Sequence, residues 1–186
     1  IMNKKKVYVG LSADILHNGH INILKIASKL GDVTVGLLTD SAISSYKKLP
    51  HLNYHQRKIV LESLKYVKKI IPQDTLDYSK NLIKIKPNYL VHGDDWRKGI
   101  QKKTREKAIK ILKKWGGKLI EPKYTKDVSS SMIKKKIIEI GTTSSTRRSK
   151  LKRLINAKDI VRILESHNSL TGLIIENLNI FHKSKY

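Results

Sequence analysis

A parallel α/β sheet covered by helices on both faces is the fold this sequence predicts, and three observations predict it. Apolar, strand-like runs alternate five times with apolar-periodic helical runs between Val7 and Ile140. The first strand passes through a tight, glycine-containing turn, Ser12 to His20, straight into a helix. Polar residues such as Thr39-Asp40 and Gly93-Asp94-Asp95 follow the strands, where an open parallel sheet presents its ligands. Right-handed βαβ units joined in series give a five-stranded parallel sheet.

Taken in order, Val7 to Leu11 reads as a buried strand and Asn18 to Leu30 as a helix with Ile21, Leu24 and Ala27 on one face, closed by Gly31. Val33 to Leu38 is the second strand. Ser41 to His51 has little periodicity and contains Lys47, Lys48 and Pro50, which predicts a mobile loop. Asn53 caps a helix running through Val67, with Val60, Leu64 and Val67 toward the core. Lys69 to Pro72 is a short third strand, and Tyr78 to Lys86 is a helix stopped by Pro87. Tyr89 to His92 forms the fourth strand, Gln101 to Trp115 a basic helix ended by Gly116-Gly117, and Lys118 to Pro122 the fifth strand. Ser129-Ser130-Ser131 then opens a helix, Met132 to Ile140, that Gly141 ends.

The organisation predicted is one domain over residues 1–141, a linker over 142–150, and a tail over 151–186. The linker is the polar run Thr142-Thr143-Ser144-Ser145-Thr146 with Arg147-Arg148-Ser149-Lys150. The tail reads as one amphipathic helix, Leu151 to Ser166, and one strand-like run, Leu170 to Ile175. One helix and one strand enclose no core, so the tail either docks on the first domain or begins a second.

Composition narrows the function. With 39 Lys+Arg against 15 Asp+Glu the formal charge is +24, which invites a nucleic-acid partner. The excess is spread along the chain, and aromatic stacking platforms are scarce, with one Phe and two Trp. A basic surface that attracts polyanionic substrates is therefore preferred over a specific nucleic-acid module. Without cysteine there is no disulfide framework, thiolate metal site or cysteine nucleophile. No run is long enough for a signal peptide or membrane span, so a soluble, cytoplasmic protein is expected.

The chemistry concentrates in the first turn. Gly19 lets backbone approach a bound group closely, and the helix start behind it carries the positive dipole end that suits phosphate. His17 and His20 flank that glycine. Imidazoles there can donate to phosphate oxygens and offset charge that develops on a transferring phosphoryl group.

Five motifs in order, ADILHNGH, Thr39-Asp40 after the second strand, YHQRKIVLESLKYVKKIIP, HGDDW and DVSSSMIKKKI, closely resemble the glycerol-3-phosphate type of cytidylyltransferase within the HxGH nucleotidyltransferases. The resemblance covers about residues 6–140. It implies a Rossmann-like fold that moves a nucleotidyl group from a nucleoside triphosphate, usually CTP, to a phosphate or phosphonate, releasing pyrophosphate with Mg²⁺ assistance. It implies catalytic roles for His17 and His20 in holding the triphosphate and for Lys48 in closing over it. By the same resemblance Ser12, Ala13, Asp14, Gly19, Arg57, Asp94, Tyr124, Ser129, Ser130 and Ser131 bind nucleotide, and no protein metal-ligand set is implied. Arg57 would grip phosphate, Asp94 would orient the nucleotide or a metal-bound water, and the serines would bind the β and γ phosphates. Tyr124 stands where the family has an arginine, and Asp127 where it has a glycine. An adenylyltransferase of the same superfamily is the alternative, since HxGH does not select the base. Dimers are common in that family, so a homodimer enters as implied by the resemblance alone.

The tail is similar to something else. Residues 154–174, LINAKDIVRILESHNSLTGLI, look like the opening of phosphoenolpyruvate mutases of the isocitrate lyase superfamily. That resemblance implies an incomplete second domain, and a small phosphonate such as 2-aminoethylphosphonate as the acceptor in place of glycerol 3-phosphate. It also implies that a chain cut near Ile140 keeps nucleotidyl transfer.

Overall fold

The protein is described by a computed structural model covering residues 4–123, 144–161 and 163–177. Five strands, β1 (Lys6–Leu11), β2 (Asp32–Leu38), β3 (Lys69–Gln73), β4 (Tyr89–Val91) and β5 (Lys118–Ile120), pair throughout in parallel in the order β3-β2-β1-β4-β5. The chain builds outward from β1 to β3 and then returns to the other side of β1 to lay down β4 and β5. The crevice where this direction reverses, at the carboxyl ends of β1 and β4, is where such a sheet binds ligands.

Alternation along β1 explains why both faces are covered. Val7, Val9 and Leu11 point to the face carrying α1 (Asn18–Leu30) and α3 (Tyr54–Glu62), where they join Leu24, Ala27 and Leu61. Tyr8 points to the opposite face, where Leu82 of α4 (Ser79–Ile85) meets Ala108 and Leu112 of α5 (Lys102–Lys113). Tyr8 lies across β2, its hydroxyl donating to Gln73 Oε1 at 2.5 Å. A Cβ at Gly36 would collide with that ring, so this β2 position accepts only glycine without repacking.

Four expectations are corrected. The segment expected to be a loop contains α2 (Asp40–Ser44), because the Thr39 hydroxyl accepts from Ala42 N and Ile43 has an apolar site to fill against Leu38. In α3 the Asn53 and Gln56 side chains form the expected cap reciprocally. The inward stripe, however, is Arg57 and Leu61, whereas Val60 is 41% exposed. Leu64 and Val67 still pack on the core, from the turns that follow the helix. Residues 144–150, read as linker, belong to α6 (Ser144–Ala157), a run rich in the strong helix formers Arg, Lys and Leu. The strand-like run Leu170 to Ile175 lies in α7 (Ser169–Asn177), since Asn168 Oδ1 accepts from Thr171 N while Thr171 Oγ1 accepts from Asn168 N. The predicted helix Met132 to Ile140 lies outside the described residues.

Helix α6 lies against the sheet domain. Ser44 Oγ donates to Ala157 O at 3.3 Å. The Arg153 guanidinium reaches His51 O, Pro50 O and Asp40. No helix among the described residues is long and apolar enough to cross a membrane.

Candidate functional site

A cavity of about 790 Å³ opens at the switch point between β1 and β4. Its floor is the end of β1, Val9 to Leu11, and its walls include Ser12, His17, Gly19 and His20 on one side and His92, Gly93 and Asp95 on the other. Tyr46, Lys47 and Lys98 add to the polar lining, and Tyr78 rises beneath the crevice from the turn before α4. Gly10 makes room for Tyr78, since a Cβ there would lie 2.5 Å from the ring.

The turn after β1 is held from several sides. Ala13 sits at φ +47°, a left-handed conformation unusual for alanine, with its methyl buried in the core. Asp14 is buried and accepts from Leu52 N at 3.1 Å, tying the turn to the 47–53 segment. Ser12 O accepts from Arg57 Nη1 at 2.6 Å.

His17 is both a cap and a cavity wall. Its Nδ1 accepts from Gly19 N at 3.1 Å and its carbonyl accepts from His20 N and Ile21 N, so His17 itself occupies the N–H groups at the start of α1. Because Nδ1 is the acceptor, the proton sits on Nε2, which leaves a donor for a ligand. The His20 ring packs against it with centroids 4.0 Å apart, and His20 Nδ1 is buried with no partner among the described residues. Burial, then the neighbouring His17 and Lys47, press the His20 pKa down to about 4, and burial also lowers that of His17. Both rings are neutral donors at physiological pH.

That depression has a consequence for stability. Unfolded His20 takes up a proton below about pH 6.5, whereas the folded protein refuses it until about 4. Stability is therefore expected to be full at pH 7 and to fall by about 3 kcal/mol as pH drops from 6.5 to 4. Urea midpoints across that range check it. His20→Asn is expected to reduce the fall, leaving the part that His17 and His92 contribute, and an unchanged slope would show that His20 is not buried neutral. Glu121, held down to about 2 chiefly by the Arg105 hydrogen bond, loses its contribution only in a separate window below about 4.5.

His92 forms the opposite wall. Gly93 O accepts from its Nδ1 at 2.9 Å, which places the unprotonated Nε2 at the other corner of the ring. The ring stacks on Trp96 at 3.9 Å with 7° between planes. Glu121 anchors this wall by accepting from Trp96 Nε1, Arg97 and Arg105 at 2.8 to 2.9 Å. Burial pushes the His92 pKa down.

Ser12, Gly19, His17 and His20 thus come together as the sequence predicts. Other candidates do not face the cavity. Lys48 is exposed; its neighbour Lys47 lines the cavity and donates to Ser12 Oγ at 3.3 Å. Asp94 opens a 3₁₀ turn, Asp94–Arg97, and it is Asp95 that lines the cavity. Ala13 and Asp14 support the turn from behind. Arg57, expected to grip phosphate, is fully buried and spends its donors on Leu52 O, Ser12 O, Leu38 O and Asp40. Tyr124, Ser129, Ser130 and Ser131 lie outside the described residues. Sequence reasoning missed Lys47, Asp95 and His92; the HGDDW run held the signal for the last two.

Metal chemistry finds a modest donor set here. The described residues hold no group of three or more His, Asp or Glu fit to hold a metal ion. Asp95 is the one carboxylate among the described lining residues. That fits a magnesium ion carried mainly by substrate phosphates and water with at most one protein carboxylate.

A family profile described as cytidylyltransferase-like matches residues 8–136. Glycerol-3-phosphate cytidylyltransferase of Bacillus subtilis (strain 168) is 36% identical over 94 residues, which span 50% of this chain and 73% of that one. FAD synthase of Aciduliprofundum boonei is 35% identical over 111 residues, 55% of this chain and 74% of that one. Ethanolamine-phosphate cytidylyltransferase of Arabidopsis thaliana is 34% identical over 104 residues, 51% of this chain and 25% of that one.

Proposed function

The chain belongs to the cytidylyltransferase-like family of nucleotidyltransferases, and from that premise we propose that it transfers CMP from CTP to a small phosphonate, 2-aminoethylphosphonate or a close relative. The observation that carries the transfer is the pair of neutral imidazoles packed at 4.0 Å on the wall of the switch-point cavity, beside Lys47. An anionic oxygen of the acceptor attacks the α-phosphorus of CTP. A new P–O bond forms, the α–β bridging bond breaks, and pyrophosphate leaves with the bond's electron pair.

Little covalent work falls to the protein in such a step, so its task is positioning and charge stabilisation. Nε2–H of His17 donates to the triphosphate, His20 donates from behind it, and Lys47 supplies the positive charge that the neutral rings lack. The turn of Ser12 to Gly19 sets the phosphate against the start of α1, where Gly19 N exchanges His17 Nδ1 for a phosphate oxygen or keeps it. Asp95 fits the role of a magnesium-water contact. Magnesium, when bound, supplies charge neutralisation on the triphosphate.

Support for the acceptor comes from chemistry and sequence. Ethanolamine phosphate, named in one relative, has one bridging oxygen between carbon and phosphorus that 2-aminoethylphosphonate lacks, and both offer an anionic oxygen on phosphorus for attack. The likeness of residues 154–174 to the start of phosphoenolpyruvate mutases points to phosphonate metabolism. Glycerol 3-phosphate is the rival acceptor. With CTP and Mg²⁺, pyrophosphate release is expected to show a higher kcat/KM for 2-aminoethylphosphonate than for ethanolamine phosphate or glycerol 3-phosphate. A preference for glycerol 3-phosphate would refute the acceptor while leaving the transfer itself in place.

A further inference from the structure

We propose that Arg153, on the helix α6 that follows the matched family region, is a positioning residue for nucleotide binding. Arg153 Nη1 donates to His51 O at 2.7 Å, while Nη2 donates to Pro50 O at 3.0 Å and to Asp40 Oδ2 at 3.2 Å. The other oxygen of Asp40 accepts from Arg57 Nη2 at 2.7 Å, and Arg57 Nη1 in turn holds Ser12 O and Leu38 O. One carboxylate is therefore shared by two guanidinium groups. One of them closes on the phosphate turn and the other on the 50–51 backbone.

The consequence is mechanical. The segment from Lys47 to Asn53 carries a cavity lysine at one end and the cap of α3 at the other. It is fixed to the turn by Leu52 N on Asp14 and by Lys47 on Ser12, and to α6 by the two carbonyls that Arg153 takes. A planar fork meets three acceptors in one geometry, which an ammonium does not reproduce. Without it the Lys47 segment loses its outer support, and the cation that meets the triphosphate is no longer preset. Such a cation contacts bound substrate and transition state alike, so its misplacement weakens binding more than chemistry.

This inference rests on the nucleotidyl-transfer reading, and the experiment separates the two. The full chain is compared with Arg153→Ala, Arg153→Lys and, as a control on the same helix, Lys152→Ala, whose side chain is exposed. Steady-state kinetics with CTP and a saturating acceptor, calorimetric CTP affinity and thermal melting are read together. Arg153→Ala is expected to raise KM and Kd for CTP roughly tenfold, the loss of charged hydrogen bonds, with kcat changed less than about threefold and melting little changed. Arg153→Lys is expected to stay close to Arg153→Ala, and Lys152→Ala to match the parent.

Absence of turnover by the parent with any donor would remove the transfer reading itself. Turnover by the parent with unchanged CTP affinity in Arg153→Ala would overturn the positioning role alone. Full recovery in Arg153→Lys, or an equal loss in Lys152→Ala, would assign the effect to helix charge and overturn it as well. A fall in melting temperature with kcat and KM unchanged below it would leave Arg153 a merely structural residue.

Discussion

His20→Ala is expected to lower turnover by roughly 10² to 10⁴ while leaving the sheet intact. The ring is largely buried, packs against His17 with centroids 4.0 Å apart and lines the cavity, so it meets the transferring group in a water-poor setting where a donor counts most. The loss should fall on kcat and kcat/KM together, because the interaction strengthens as charge develops on phosphorus. His17→Ala removes a donor too, and additionally bares Gly19 N at the start of α1, which adds a helix-cap cost of about 1 kcal/mol. The double variant should lose less than the product of the two single losses, since the rings act on one group. Stopped assays of pyrophosphate release, with far-ultraviolet circular dichroism as the fold control, measure all three. Near-parent turnover by both single variants would exclude the histidines from catalysis.

Arg57→Met should be the most destabilising exchange at the site. Its guanidinium is fully buried and held by four acceptors, three of them backbone carbonyls on separate segments. Methionine fills most of the volume and none of the donors. Ser12 O and Leu38 O then lose their charged donor inside the protein, while Asp40 keeps only Arg153. Breaking a buried, hydrogen-bonded ion pair costs about 3–5 kcal/mol, a large share of the 5–15 kcal/mol that holds a typical domain together. Arg57→Lys retains the charge and one or two of the bonds, and should recover less than half of that loss. Urea midpoints at constant slope give the values, and a cost under about 1 kcal/mol for Arg57→Met would show that the clamp is dispensable.

The strand and helix alternation, the Asn18–Leu30 helix and the Asn53 cap are local patterns, and local patterns survive into the structure. The two histidines were legible because Gly19 between them and the preceding strand fix the turn they occupy. Arg57 reads from sequence as a phosphate grip, but its acceptors are three backbone carbonyls and the Asp40 carboxylate, brought together only by folding. Sequence therefore reads an available donor set where the fold has already spent it. Lys47 and Lys48, or Asp95 and Asp94, differ only in which way adjacent side chains face, and nothing in composition decides that. In the tail, the β-branched residues around Leu170 to Ile175 suggested a strand. The reciprocal cap of Asn168 and Thr171 makes the run a helix.

Nucleotidyl transfer from CTP at the β1/β4 crevice is tested most directly by its donor. Phosphorus nuclear magnetic resonance of the full chain with Mg²⁺, 2-aminoethylphosphonate and either CTP or ATP would follow both products at once. With CTP, the expected result is stoichiometric pyrophosphate and a mixed anhydride joining CMP to the phosphonate. That signal should be reduced by roughly 10² or more in rate by His20→Ala and be much weaker with ATP. Turnover with ATP and none with CTP would contradict the cytidylyl assignment.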